Sequence, residues 1–373
     1  MAVNGPEPDG FRFFSDDSIW NTPVADDAPV HEDSSEMVRA NFAEPPGIYV
    51  NRVSWSVPVY LVDSSTPRQD VRCIYGKAHG TRPTFDDPSG ADWIVHTDYG
   101  VLMKDVPIPD DALPDSAIAL RPDKNADAHL CVVDLERGLE WDFCWMARAE
   151  DGEWTAGQGV MYRTDGDGLI RDYEGSARGS GFPLTGGLIF KREIEAGVID
   201  HALALALHPA GYGHVYPPAS CSDGRRPIGA PADGKGWGIP EGALVQLDPE
   251  LDVDSLGLDH AAKVIARAMQ RYGMYVCDNS GSINLYAEVF PFSDPDPWDG
   301  VMAVDSPTSI PVERLRVIDW GDRYCEEGEK PHNQDRYRDP HAFGPLPDSM
   351  AKDVLHMINF HRGRYDLPPR VIG

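Results

Sequence analysis

Lysine, long apolar runs and the familiar enzyme signatures are scarce or missing in this chain. Its 373 residues include only 8 Lys against 25 Arg, and 43 Asp against 18 Glu. The formal net charge of -28 repels phosphate backbones and anionic lipid head groups, so neither nucleic acid nor membrane insertion is expected. Short, strongly hydrated carboxylates with few lysines are typical of a halophilic, acidic surface that stays hydrated in concentrated salt.

Targeting and motif signals are also missing. No apolar run approaches the roughly 18 residues that a membrane span needs, and residues 1–10 lack the basic and apolar regions of a signal peptide. The chain has no Gly-x-Gly-x-x-Gly, Walker loop, His-Glu-x-x-His or Gly-x-Ser-x-Gly motif, which argues against the common nucleotide-binding, zinc-protease and serine-hydrolase classes. The six cysteines stand singly, so a structural zinc module is not expected.

Glycine and proline are plentiful instead. The 36 Gly and 33 Pro residues punctuate short apolar stretches, a pattern typical of an all-β protein. Apolar residues at helical spacing predict one helix over about 259–272, which Asp259 can cap and Gly273 can end. We therefore predict a mainly β fold, a β-sandwich or jelly roll over residues 1–290 with one or two peripheral helices. Residues 291–373, rich in Asp and Pro, are expected to form an extended C-terminal arm with a short helix.

One predicted hairpin, residues 127–148 (DAHLCVVDLERGLEWDFCWMAR), carries most of the functional argument. A two-residue turn at Arg137-Gly138 places Cys131 opposite Cys144 in a non-hydrogen-bonded pair, where a disulfide can form. Two reduced thiols packed as small apolar groups are the alternative. A three-residue turn with a bulge would give a different register.

Alternation along the two strands separates an apolar face from a polar one. The apolar face is predicted to be core and carries Leu130, Val132, Trp141, Phe143 and Trp145. The polar face is predicted to meet a glycan, and it carries Asp127, His129, Cys131, Glu140, Asp142, Cys144 and Arg148.

Two candidate chemistries arise from these strands. Glu140 and Asp142, with His129 on the neighbouring strand, are residue types that supply a glycosidase acid and nucleophile. They fit the first part of the Glu-x-Asp-x-x-Glu pattern of laminarinase-type jelly-roll glucanases, but Trp145 stands where that pattern has its second Glu. A solvated or cation-binding carboxylate face is the alternative interpretation.

The second candidate chemistry is β-elimination on a uronic-acid polysaccharide. A strand over residues 72–80 would put Tyr75, Lys77 and His79 on one face. A lyase needs a base such as Tyr or His for the C5 proton and a cation for the developing enolate. A polar strand face with a structural histidine is the alternative.

Further groups are predicted to support substrate or metal binding. Asp127, Arg148, Trp93 and Tyr162 are candidates for contacting a sugar, because sugar C–H faces pack on aromatic rings. The segment 165–172 (DGDGLIRD) is rich in oxygen ligands but lacks the length and the closing Glu of an EF-hand. A weak Ca²⁺ site is predicted there, with a surface turn as the alternative, at Asp165, Asp167 and Asp172.

Several stretches together resemble an uncharacterised, actinobacterial-type family of secreted β-sandwich proteins. They are SIWNTPV (18–24), DAHLCVVD (127–134), LEWDFCWMA (139–147), GFPLTGGLI (181–189), AGVIDHALALAL (196–207) and ARAMQRYGMYVCDNSG (266–281). The resemblance implies an extracellular-type sandwich of jelly-roll or concanavalin-like shape in which the strand beginning with Asp127 and His129 is central. It implies no activity, because the family has no agreed function.

Two functions are compatible with the sequence. The first is a glycan-recognising β-sandwich, either a polysaccharide lyase or a glycoside hydrolase, in an extracellular setting. The second is a non-enzymatic component of a virion, such as a capsid or tail decoration of a halophilic virus, that binds host sugars or packs against neighbouring subunits or copies of itself. The missing signal peptide favours the second function, since a particle assembles inside the cell.

Overall fold

The computed structural model describes residues 11–43, 47–74, 81–86, 91–97, 100–117, 126–148, 152–170, 176–226, 228, 237–291 and 293–325. The predicted mainly β class is confirmed. Within these ranges the helices are α1 (Ser34–Phe42), α2 (Lys191–Ala196) and α3 (His260–Arg271), with short 3-10 turns at Asp115–Ala117, Val253–Leu256, Ser306–Ser309, Val312–Arg314 and Gly321–Arg323. None of the helices in these ranges has the length and apolar character to cross a membrane.

The strands follow one another along the chain in short segments. They are β1 (Tyr49–Asn51), β2 (Val57–Val62), β3 (Arg68–Cys73), β4 (Arg82–Pro83), β5 (Ile94–Thr97), β6 (Gly100–Pro107), β7 (Leu130–Asp134), β8 (Leu139–Cys144), β9 (Ala147–Arg148), β10 (Trp154–Ala156), β11 (Gln158–Arg163), β12 (Leu203–Leu207), β13 (Gly211–Val215), β14 (Pro240–Glu241), β15 (Leu244–Leu247), β16 (Met274–Asn279), β17 (Asn284–Tyr286), β18 (Glu288–Val289), β19 (Leu315–Val317) and β20 (Tyr324–Cys325).

These strands form three larger sheets and one small one. The first sheet has the order β1-β17-β12-β16-β15-β19, and the central sheet has the order β18-β2-β7-β8-β11-β4. The outer sheet has the order β5-β6-β3-β10-β9, and the small sheet is β14-β13-β20. Several neighbouring pairs are parallel, among them β2 with β7 and β12 with β16. The sheets are therefore mixed, whereas a jelly roll consists of antiparallel strands, so the predicted jelly roll is not confirmed.

Three apolar cores separate the layers. Helices α1 and α3 pack on one face of the first sheet. The other face of the first sheet packs on the central sheet, and the far side of the central sheet packs on the outer sheet. The central sheet is consequently buried on both faces, and this burial decides what its polar residues can do.

Strand β12 shows how the sequence builds this layering. Leu203, Leu205 and Leu207 point into the core under the helices. Ala204 and Ala206, which alternate with them, face the central sheet. The period of two along a strand puts the large side chains on one face and the small ones on the other, so the central sheet can approach closely.

The predicted helix over 259–272 is present as α3. The Asp259 carboxylate accepts a hydrogen bond from the backbone N–H of Ala262 at 2.7 Å, and Gly273 follows the helix with φ 75°. Part of the predicted C-terminal arm also has a defined place, because β19 lies at the edge of the first sheet and Trp298 is buried in the core beneath it. Residues 326–373, with the predicted last helix, lie outside the described ranges.

The register of the β7–β8 hairpin differs from the prediction. Four residues, not two, connect the strands, so Cys131 pairs with Asp142 instead of Cys144. The Asp134 carboxylate accepts a hydrogen bond from the backbone N–H of Arg137 at 3.1 Å, which closes the wider turn. Both cysteines are free thiols. The predicted register and the disulfide that depended on it are therefore wrong.

Candidate functional site

The polar face of the hairpin is buried. The register shift of two residues preserves the predicted faces, so Cys131, Glu140 and Asp142 do lie together, and each is 0% exposed. The segment 182–188 covers them from the direction of the first sheet. The backbone N–H of Leu184 donates to Asp142 at 2.7 Å, and the Thr185 hydroxyl donates to Glu140 at 2.6 Å. The prediction that this face is a glycan-facing surface is thus corrected, because the layer between the sheets encloses it.

These three side chains form one titrating group. Burial raises the pKa of Glu140, and burial together with the charge of Glu140 raises the pKa of Asp142 well above its usual range. Burial and the two carboxyl groups likewise raise the pKa of the Cys131 thiol. Like charges in one desolvated site oppose each other's ionisation, so the pair retains a proton to higher pH and the stronger rise in pKa is that of Asp142.

The same cluster has the ligand atoms of a metal site. One atom each from Cys131, Glu140 and Asp142 lies within 4.8 Å of the others. The oxygens of Glu140 already accept from both the N–H and the hydroxyl of Thr185. The arrangement therefore works chemically as an anchor for the covering segment, because Leu184 and Thr185 donate to both oxygens of Glu140 and to one oxygen of Asp142.

A buried arginine fixes the same segment from its other side. Arg178 is 1% exposed, and its guanidinium donates to the backbone carbonyls of Pro183, Gly186 and Leu184 at 2.9, 2.8 and 3.1 Å. The guanidinium also lies over the ring of Tyr286, 4.9 Å from its centroid, in cation–π geometry. Segment 182–188 is thereby held between an arginine fork and a carboxyl pair.

A cavity of about 560 Å³ opens where the first and central sheets meet at one end. It lies beyond the C-terminal ends of β1, β12 and β16 and the N-terminal end of β7. Polar groups and two aromatic rings line its wall. They include Asn51, Trp55, Asp127, His129, Asp278, Asn279 and Tyr286. Its volume falls within the roughly 300–1,000 Å³ of ordinary small-molecule sites.

A β-bulge places Asp278 at this cavity. Leu205 of β12 pairs with Val276, but the next residue, Ala206, pairs with Asp278, so Cys277 is an extra residue on β16. Bulges bend a strand and turn its side chains in a new direction, and they recur beside functional sites. The backbone N–H of Asn279 donates to Asp278 at 2.9 Å, which orients the carboxyl group.

Asp127 and His129 reach the cavity from the central sheet. The backbone carbonyl of Asp127 accepts from the N–H of Trp145 at 2.7 Å, and the N–H of His129 donates to the buried Asp115 at 2.7 Å. His129 is 3% exposed, and its Nε2 lies 3.3 Å from the carbonyl oxygen of Ala177. Burial lowers the pKa of His129, although the charge of Asp127 opposes this effect, so the imidazole is neutral near pH 7.

The acidic groups around the cavity influence one another. Burial and the negative charges of Asp223 and Asp127 raise the pKa of Asp278 well above its usual range. Behind it, burial and Asp223 raise the pKa of Glu241, which is 0% exposed. Asp278 is therefore a carboxylic acid that keeps its proton at a pH where an exposed aspartate has lost it.

Hydrogen bonds hold the rim of the cavity. The Nδ1 atom of His208 lies 2.7 Å from the carbonyl oxygen of Ser280, and the amide of Asn284 donates to the Ser280 hydroxyl at 2.9 Å. Across the opening, the Asn51 amide donates to the carbonyl oxygen of Trp55 at 2.9 Å. The amide and hydroxyl groups are thus positioned before any ligand arrives.

Of the sequence-predicted residues that the structure describes, only Asp127 and His129 line this cavity. Trp93 and Tyr162 are 7% and 1% exposed and belong to the cores, and Tyr162 donates its hydroxyl to the carbonyl of Gly181. Arg148 lies at the far edge of the outer sheet, over the ring of Trp154. None of these three joins the cavity wall, so they are not brought together with Asp127 as predicted.

Of the predicted calcium and lyase residues, the structure describes only Asp165 and Asp167. Asp165 forms a two-pronged ion pair with Arg163, and Asp167 accepts from the N–H of Leu169. Both carboxylates thus make hydrogen bonds within the turn. The remaining members of these two predictions, Asp172, Tyr75, Lys77 and His79, lie outside the described residues.

Sequence reasoning missed Asp278, Asn51 and Tyr286. The signal available was the tetrapeptide Asp278-Asn279-Ser280-Gly281 directly after an apolar strand, because polar residues at strand ends often line sites. The bulge that turns Asp278 toward Asp127 has no sequence signature of its own. Comparison with known proteins adds no further guide, since no family model, no curated protein and no solved structure matches this chain.

Proposed function

We propose that the protein recognises a glycan and that the cavity at Asp127 and Asp278 is its binding site. One observation carries the proposal: two carboxyl groups, several side-chain amides and two aromatic rings share a single open cavity. Each sugar hydroxyl both donates and accepts hydrogen bonds, so it needs acceptors such as carboxylates beside groups such as amides that do both. The half-buried ring of Trp55 offers flat apolar surface for the C–H face of a sugar.

The chemistry of the wall suits a glycan better than an apolar ligand. Asn51, Asn279 and Asn284 are held by their own backbone and side-chain hydrogen bonds, so little side-chain entropy is lost when a ligand binds. His129 stays neutral because it is buried, and a neutral imidazole adds a hydrogen-bonding group without adding charge. The site is therefore polar, ordered and shaped for many directional contacts.

The test is a binding measurement with a matched pair of tryptophan variants. Trp55 lines the cavity, whereas Trp145 lies outside it, and both are half-buried at positive φ, 59° and 54°. Wild type and the two variants Trp55→Leu and Trp145→Leu are titrated with gluco-, manno-, galacto-, chito- and uronate-containing oligosaccharides by calorimetry. We expect at least ~10-fold weaker binding for Trp55→Leu, since stacking contacts contribute about 1–3 kcal/mol, and unchanged binding for Trp145→Leu. Absence of binding by wild type, or equal loss in both variants, would refute the proposal.

Several finer statements belong to the same proposal. The face-to-face packing of the first and central sheets supports a sandwich-like description and agrees with the resemblance to a secreted β-sandwich family. The acidic surface supports an extracellular or virion-surface setting in high salt. A non-enzymatic role, in a virion or a homo-oligomer, predicts that the glycan binds but is returned intact.

A further inference from the structure

Building on the proposed glycan site, we infer that the protein hydrolyses the glycosidic bond, with Asp278 as the general acid and Asp127 as the carboxylate that activates water. Both carboxyl groups line the one cavity and approach it from different sheets, Asp278 from β16 and Asp127 from the start of β7. Glycosidases use such a pair on the two sides of the scissile bond. The assignment replaces Glu140 and Asp142, whose side chains are enclosed between the sheets.

The two groups have environments suited to different protonation states. Burial and the charges of Asp223 and Asp127 raise the pKa of Asp278, and they outweigh the hydrogen bond from the Asn279 N–H and the positive charge of Arg178, which lower it. Asp127 supplies part of that negative charge and is partly exposed to solvent. A carboxyl group whose pKa is raised, next to a second carboxyl group in the same cavity, is the pattern by which the general acid is assigned in carbohydrate-cleaving sites.

The reaction balances with water as the co-reactant. Asp278 gives its proton to the glycosidic oxygen while the bond between that oxygen and the anomeric carbon breaks. Asp127 takes a proton from water as the water oxygen bonds to the anomeric carbon. Proton exchange with solvent then returns Asp278 to its acid form and Asp127 to its carboxylate.

Asp223 has a positioning role in this scheme. Its charge raises the pKa of Asp278, but it is not among the residues that line the cavity. Removing that charge in Asp223→Asn would lower the pKa of the acid. The pH at which activity declines on the alkaline side would then fall, whereas a purely structural role would leave that pH unchanged.

The experiment measures release of reducing ends from each oligosaccharide that binds, for wild type, Asp278→Asn, Asp127→Asn and the exposed control Asp16→Asn. We expect a loss of at least ~100-fold in kcat for the two cavity variants with binding retained, since general acid and base catalysis each contribute about 100- to 10,000-fold. Asp16→Asn should match wild type. In Asp278→Asn, 4-nitrophenyl glycosides should recover activity, because their leaving group needs no protonation.

The outcomes separate this inference from the function on which it rests. Glycan binding by wild type without any release of reducing ends would overturn the catalytic assignment and leave the binding site intact. Absence of glycan binding by wild type would overturn both the binding site and the catalytic assignment. Full activity in Asp278→Asn would also overturn the catalytic assignment. So would an Asp223→Asn variant in which the pH at which activity declines on the alkaline side does not fall by at least ~0.5 pH unit.

Discussion

The anchor beneath the central sheet can be tested with one hydroxyl group. Thr185→Val keeps the shape of a side chain that is 3% exposed and deletes its 2.6 Å hydrogen bond to the Glu140 carboxylate. The N–H of Thr185 still donates to Glu140, so only one bond is lost. Hydrogen bonds to charged groups contribute about 1.5–3 kcal/mol, and we expect the free energy of unfolding to fall by that amount.

The chain offers a matched control for this substitution. Thr155 is 0% exposed, and its hydroxyl makes a 3.5 Å contact with the carbonyl oxygen of Ala147. Thr155→Val deletes a buried hydroxyl whose hydrogen bond to an uncharged carbonyl is as long as a hydrogen bond can be. We therefore expect the free energy of unfolding to fall by less than ~1 kcal/mol. Urea unfolding followed by tryptophan fluorescence gives both values. If Thr185→Val lowers the free energy of unfolding no more than Thr155→Val does, the hydrogen bond to Glu140 does not anchor segment 182–188.

Three further predictions follow from the buried groups. Because the pKa of Asp142 is raised, the folded state holds a proton that the unfolded state releases. The stabilising effect of this proton is complete below about pH 3.8 and declines as pH rises, by up to ~1.4 kcal/mol per pH unit. In urea unfolding across pH 4–8, the free energy of unfolding should decline less steeply with pH for Asp142→Asn than for wild type, and an identical decline would contradict the raised pKa. Arg178→Met should destabilise by at least ~3 kcal/mol, since three buried carbonyls lose their donor, and a change below 1 kcal/mol would contradict the fork. When the protein is unfolded without reductant, an alkylating agent should modify Cys131 and Cys144 completely, as read by mass spectrometry. A species in which both cysteines are unmodified and the mass is lower by two hydrogen atoms would show that the disulfide forms after all.

Local signals in the sequence were sufficient for the elements. Asp259 marks the beginning of α3 and Gly273 marks its end, because a capping side chain and a left-handed residue act within one helical turn. Along β12, leucine and alanine alternate in the sequence in the same way as the two faces of the strand in the structure. The mainly β class depended only on such short-range patterns.

Long-range contacts decided the rest. The polar stripe of Cys131, Glu140 and Asp142 has the sequence pattern of a solvated face, and it is buried because donors from 182–188, some forty residues away in the chain, match its oxygens. One local contact was also missed: the turn 135–138 has four residues, closed by the hydrogen bond from the N–H of Arg137 to the Asp134 carboxylate, and the pairing of every residue in the hairpin is shifted by two from the prediction.

The sequence by itself determined the class of the fold, the acidic surface, helix α3 and the membership of each strand face, because these depend on neighbours within a few residues. The tertiary structure alone decided which polar residues meet a ligand. Asp127 and Asp278 are 151 positions apart by number, and they line one cavity only because two sheets pack face to face and a bulge at Cys277 turns the second carboxyl toward the first. Burial and nearby charge then raised the pKa of Asp278, since desolvation and like charge act through space and leave no trace in the order of the residues.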